Sequence, residues 1–178
     1  MSIATVEDFG LVTDPGTIVI KRVVPGPVDR VWDYLTKNDL RRQWLAAGDM
    51  ELRVGAPVEL VWDFQKTTAD PGPKPDVIPN EFRLQSEVLV CEPHRRLALA
   101  WGLKGKATFL LKPMDGLVEL TVTHEDIPSR DAMVWVAASW CSQFDVLKAL
   151  LQGKPIDGFW HIWQAYSTGH DKYLPVAA

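Results

Sequence analysis

The sequence predicts an α+β fold in which a curved antiparallel sheet of about seven strands wraps around one long C-terminal helix, with two short helices after the first strand. Three observations carry that expectation. Apolar residues repeat with period two through most of Asp49 to Glu125, as in strands with one buried face. They recur at helical spacing from Ser129 to Leu151, and short links such as Met114-Asp115-Gly116 join the alternating runs as hairpins do.

From the N-terminus, Thr17 to Val24 is β-branched and stops at Pro25-Gly26-Pro27, which gives strand one. Pro27 then opens a short amphipathic helix whose Val28, Val31, Trp32 and Leu35 follow the i, i+3, i+4, i+7 pattern. Asn38 is placed to cap a second, Asp39 to Trp44, with Leu40 and Trp44 on one face. The alternation predicts a short strand over Met50 to Val54. Longer ones follow over Val58 to Phe64, Phe82 to Cys91, Arg96 to Trp101, Ala107 to Lys112 and Leu117 to His124, with Gly102 to Gly105 as a further hairpin link. Residues 65–80 carry Pro71, Pro73, Pro75 and Pro79, which neither pair in a sheet nor continue a helix, so an exposed loop is expected there.

Ser129 caps the long helix, and Gly153 and Pro155 end it. Met133, Val136, Ala137, Trp140, Phe144, Leu147 and Leu151 share one face, which must lie against the concave sheet. A single domain over residues 1–178 follows, with its core at 17–152 and an aromatic extension at 153–178 that contains Phe159, Trp160, Trp163 and Tyr166.

Composition narrows the function classes. An apolar fraction of 47% and a charged fraction of 24% are those of an ordinary globular protein. A net charge of -4 with mixed signs lacks the positive potential that nucleic acid demands. No apolar run is long enough to span a bilayer, Met1 to Asp8 does not read as a signal peptide, and Cys91 and Cys141 read as reduced thiols, so a cytoplasmic protein is expected. The unusual feature is eight tryptophans, each with a large apolar area and one N–H that needs a partner when buried.

Catalytic signatures are missing from the sequence: no nucleophile elbow, no His-Glu-x-x-His pair, no phosphate loop and no Cys-x-x-Cys knuckle. Cys91 and His94 supply only two ligands and flank a turn, so no metal and no cofactor are predicted. His124 ends the last strand, where a hydrogen-bonded structural histidine is the simpler reading and proton transfer the sharper one. Glu125-Asp126 reads as a solvated strand end, and His161 and His170 as surface residues.

The motifs Val24-Pro25-Gly26-Pro27-Val28-Asp29-Arg30-Val31-Trp32, Trp44, Gly55, Glu87-Val88-Leu89, Glu92-Pro93, Arg96-Leu97, Ala100-Trp101, Glu119 to Glu125, and Trp140 before Leu147-Lys148 follow one another over about Thr17 to Leu151. In order and spacing they resemble the activator-of-heat-shock-protein-90-ATPase homologues of the START-like (SRPBCC) superfamily. The resemblance implies the helix-grip fold, in which the sheet and long helix enclose an apolar cavity. Its members include chaperone co-factors and single-domain proteins, and fold alone does not decide between such roles. The loop at 65–80 and the stretch after Gly153 depart from the family pattern.

Large apolar groups fall on one face of successive strands, and a cavity between that face and the helix, left by short residues such as Ala137 and Ala138, would be lined by Trp44, Trp62, Phe64, Trp101, Phe109, Val136, Trp140 and Phe144. Asp63, Arg83 and His124 are the candidate interior polar groups, of which Arg83 and His124 complete the expected ligand-binding set. The expected function is binding of a small apolar molecule, lipid-like or aromatic. The alternatives are a START-like enzyme of aromatic-cyclase type and a chaperone-interacting module. The aromatic extension also offers a surface for a homodimer.

Overall fold

A computed structural model describes residues 9–102 and 104–174. The expectations placed on Met1 to Asp8, on Leu103 in the hairpin link and on the last four residues of the extension lie outside the described residues. Among the described residues seven strands form one antiparallel sheet: β1 (Leu11–Asp14), β2 (Thr17–Pro25), β3 (Pro57–Asp63), β4 (Glu81–Glu92), β5 (Arg96–Trp101), β6 (Gly105–Met114) and β7 (Leu117–Glu125). Their spatial order is β1-β2-β7-β6-β5-β4-β3, so the meander from β3 to β7 closes against β2. After β2 come α1 (Val28–Thr36) and α2 (Asn38–Arg41), and α3 (Arg130–Leu151) is the long helix that the curved sheet grips.

Period-two alternation carries Leu120 and Val122 of β7, Phe109 and Leu111 of β6, Leu97 and Leu99 of β5 and Leu60 of β3 onto the concave face, all essentially inaccessible. Against them α3 lays Met133, Ala137, Trp140, Phe144, Leu147 and Leu151. Burying a side chain of this size stabilises by about 1.5–3 kcal/mol. The Ser129 hydroxyl accepts from the Ala132 N–H at 3.2 Å, so the start of α3 is capped as its sequence requires.

Several local expectations are corrected. Met50 to Val54 is no strand: the Arg53 N–H donates to the Glu51 carbonyl at 2.8 Å and the Arg53 side chain grips the Glu51 carboxylate at 2.9 Å, closing a turn with Leu52 and Val54 exposed. The seventh strand is instead β1, four residues joined to β2 through Pro15-Gly16. Asn38 does not cap α2; its side chain reaches across to Gly48 and Asp49, at 2.9 Å each. Residues 65–80 form the expected loop, exposed or half-buried except at Ile78 and held at one end where the Gly158 N–H donates to the Asp70 carbonyl and the Trp160 backbone N–H to the Pro71 carbonyl.

In the C-terminal extension, for which no element was expected, Phe159–Tyr173 form a helix, α4, packed along the outer face of α3. Trp163 donates its indole N–H to the Ser139 hydroxyl at 3.2 Å, and the Tyr166 hydroxyl donates to Asp145 at 2.8 Å. Arg22 from the sheet reaches the same Asp145 at 3.6 Å. Of the extension's aromatic residues, Phe159 and Trp160 are buried, and Trp163 and Tyr166 half-buried. His170, expected at the surface, is buried, with its ring nitrogens 2.7 Å from the Tyr166 carbonyl and 2.5 Å from that of Phe9.

Candidate functional site

The same alternation brings Trp62, Trp101 and His124, from β3, β5 and β7, to one end of the concave face, where α3 adds Val136 and, one turn on, Trp140. They enclose a cleft of about 80 Å³. The Trp101 ring is its hub, with centroids 5.5 Å from Trp62, 5.2 Å from Trp140 and 5.5 Å from His124. Such spacings are those at which aromatic rings attract edge to face.

His124 Nδ1 accepts the Trp140 indole N–H at 3.1 Å, which satisfies a donor that burial would otherwise strand. Only 4% of His124 is exposed, and burial pushes its pKa down to about 4. The imidazole is therefore neutral at pH 7, and because Nδ1 accepts, the ring proton sits on Nε2. The mouth of the cleft is formed by Phe82, directly opposite Trp62 in the ladder, and by Trp135, whose ring meets Trp163 at 5.0 Å. Phe82 is 45% and Trp135 36% exposed.

Farther along the helix the space is filled. Phe109 packs edge-on to Trp140 at 5.4 Å, Phe144 lies 6.1 Å from Trp140, and Trp44 lies 6.0 Å from Phe144, all buried. The expectation of a hollow beneath Ala137 and Ala138 is corrected: large rings from neighbouring positions occupy it, so small residues on the helix do not translate into empty volume.

A second recess, of about 140 Å³, runs beside the edge of β3 where Val61 and Ala47 exchange backbone hydrogen bonds. Trp44 stands in its wall, on the connection between α2 and β3. The buried Arg41 guanidinium shapes that connection, donating to the carbonyls of Thr36 at 3.0 Å, Ala46 at 3.1 Å and Gly48. Gly48 has φ 131°, and a Cβ there would lie 1.9 Å from the Glu59 carbonyl oxygen, so no other residue fits.

Of the expected lining residues, Trp62, Phe64, Trp101, His124, Val136 and Trp140 surround the cleft. Phe109 and Phe144 stand behind it and Trp44 in the neighbouring recess. Arg83 does not join them. Because Phe82 faces inward, its neighbour must face outward, and the Arg83 side chain is exposed between Glu59 at 3.2 Å and Glu81 at 2.6 Å. Asp63 likewise points out and pairs with Lys66 at 3.0 Å.

Phe82, Trp135, Ser139 and Gln143 were missed. The last three lie four residues apart on α3, a stripe beside the apolar one that helical spacing alone makes visible. Among the described residues no group of three or more His, Cys, Asp or Glu side chains is placed to hold a metal ion.

Among curated proteins, none matches the chain. Solved structures do. The protein encoded by gene BPP1335 of Bordetella parapertussis is 30% identical, covers 94% of this chain with 91% of its own, and superposes with a TM-score of 0.78. CalU16 of Micromonospora echinospora is 21% identical over 88% of this chain and 86% of its own, with a TM-score of 0.62. DynU16, from the dynemicin biosynthetic locus, is 24% identical over 79% of this chain and 49% of its own, with a TM-score of 0.60. Residues 25–152, from the end of β2 through the last turn of α3, match the model of the "Activator of Hsp90 ATPase homolog 1-like protein" family, and the chain belongs to that family.

Proposed function

We propose that this chain binds a small planar aromatic molecule among Trp62, Trp101 and Trp140, in the cytoplasm. The observation that supports the reading is the convergence of three indoles and one neutral imidazole on a cleft that stays partly open while the concave face behind it is packed. Each well-placed aromatic pair adds about 0.5–1.5 kcal/mol beyond area burial, and the His124 Nε2–H would supply one polar contact that fixes orientation. The cleft volume is below the roughly 150 Å³ that accepts benzene in an apolar cavity, so a ring entering it would displace Phe82 and Trp135 at the mouth. The packed space behind Trp140 argues against a lipid-sized ligand.

An activity of the aromatic-cyclase type would ask His124 to accept a proton. An imidazole that burial holds near 4 is a weak base at neutral pH, and its Nδ1 is already engaged. The filled interior favours, as a second reading, an outer surface that meets a partner such as a chaperone. Exposed Val23, Leu110 and Leu117 lie on the sheet, but Lys21, Lys112 and Glu119 interleave with them, so no continuous apolar patch forms there.

Titration of ¹⁵N-labelled protein with indole tests the binding reading through the tryptophan side-chain N–H signals. Those of Trp62, Trp101 and Trp140 are expected to move together and to stop moving in Val136→Phe, which fills the cleft. If none of the three moves at millimolar indole, the reading is wrong.

A further inference from the structure

The aromatic cleft and the recess beside β3 share one residue, Gln143 of α3. Gln143 is only 7% exposed, yet its amide makes no hydrogen bond to any described residue. The Thr67 hydroxyl on the recess wall is buried without a partner. At the rim stands Arg42, whose guanidinium has no ion pair or hydrogen bond among the described residues, whereas the neighbouring Lys66 is held by Asp63 at 3.0 Å. Two unpaired hydrogen-bonding groups and one uncommitted positive charge therefore converge on a recess that opens, past Gln143, toward three indoles.

We propose that cleft and recess are the two ends of one binding site divided by the Gln143 side chain, and that its ligand is a single aromatic ring carrying a carboxylate on a short arm. The proposal rests on the aromatic reading of the cleft and names the ligand class it takes. The ring lies among Trp62, Trp101 and Trp140. The carboxylate lies in the recess, where the Thr67 hydroxyl and the Gln143 amide donate to it and Arg42 supplies the counter-charge. An anion suits this end because a carboxylate accepts from both donors at once, and a neutral amide presents only one acceptor oxygen. Positional freedom of the Gln143 side chain, which no hydrogen bond restrains, is what joins the two volumes.

Phenylacetate and 3-phenylpropionate, each compared with its own amide, test the proposal in the same ¹⁵N experiment. Trp44 stands in the recess wall and donates its indole N–H to the Tyr34 carbonyl at 2.9 Å, so its signal reports on the far end of the site. Both acid and amide are expected to move the cleft tryptophans, and only the acid to move Trp44 and the Gln143 side-chain amide. The better of the two acids should bind about tenfold more tightly than its amide at low salt, with the preference shrinking as salt rises.

Arg42→Gln, a change at an exposed side chain, should abolish that preference and leave the amide's affinity unchanged. Thr67→Val removes a hydroxyl that nothing pairs, so it should leave the melting temperature unchanged or higher while weakening the acid about threefold. Equal binding of acid and amide, or an acid preference that survives Arg42→Gln, overturns the proposal and leaves the aromatic reading standing. If neither compound moves the cleft tryptophans, both fall.

Discussion

The two halves of α3 differ in what flanks the inner face. Toward the C-terminus Phe144, Leu147 and Leu151 are packed against sheet and short helices with almost nothing exposed. Toward the N-terminus Trp135, Val136 and Ser139 are partly exposed and border the cleft. The difference follows from sequence spacing. In the second half the inward positions are all apolar and large. In the first half an aromatic and polar stripe runs beside the apolar one, and a surface that mixes the two does not close completely over a sheet. One helix thus holds the fold together at one end and leaves a site at the other.

Substitution should show this division most strongly in the closed half. Phe144→Ala is expected to lower unfolding free energy by about 3–5 kcal/mol, whereas Trp135→Ala, at the mouth, should cost on the order of 1 kcal/mol; urea denaturation of the pair measures the contrast. Equal costs would erase the distinction between the halves.

Acid should act next. The unfolded chain carries His124 near 6.5 and the native chain near 4, so its contribution is fully present above about pH 6.5 and is lost as pH falls toward 4. The loss amounts to about 3 kcal/mol at most. His170, also held down by burial, adds to the same acid limb, so the comparison of wild type with His124→Gln isolates the part that belongs to the cleft. An unchanged acid limb in that variant would mean that His124 is not desolvated in solution.

A smaller effect is expected from Trp140→Phe, which keeps a ring at the position but leaves His124 Nδ1 without its donor. About 1–3 kcal/mol should be lost, read from the denaturation midpoint. The smallest is Arg83→Ala. With its side chain exposed between Glu59 and Glu81, removal should leave both the midpoint and indole binding unchanged. A binding defect there would return Arg83 to the site.

Most of the fold is legible in the sequence because burial on one face writes a period into it: two for β2 to β7, 3.6 for α3. Elements without that signature escape. The four residues of β1 are mostly exposed, so no alternation marks them, although Asp14-Pro15-Gly16 does mark a turn. α4 does carry a helical repeat in Trp160, Trp163, Tyr166 and His170, obscured by Gly169, which admits the Phe9 ring where a Cβ would clash. The six cleft residues were readable as an inward-facing aromatic set. The filling behind them was not, because whether two rings share a space or leave one depends on side-chain directions that periodicity does not record. Arg83 shows how narrow the margin is: one residue of register separates the cleft wall from the solvent face.

Ring against chain is the most direct test of the central claim that the aromatic cleft admits a single ring at most while the space behind Trp140 is packed. Indole and palmitate should be titrated separately into the ¹⁵N-labelled protein at neutral pH. The account predicts that indole moves the side-chain signals of Trp62, Trp101 and Trp140, and that palmitate moves no tryptophan. Stoichiometric palmitate binding that shifts Trp44 and Trp140 together would mean that the space beneath α3 is open in solution, and would contradict it.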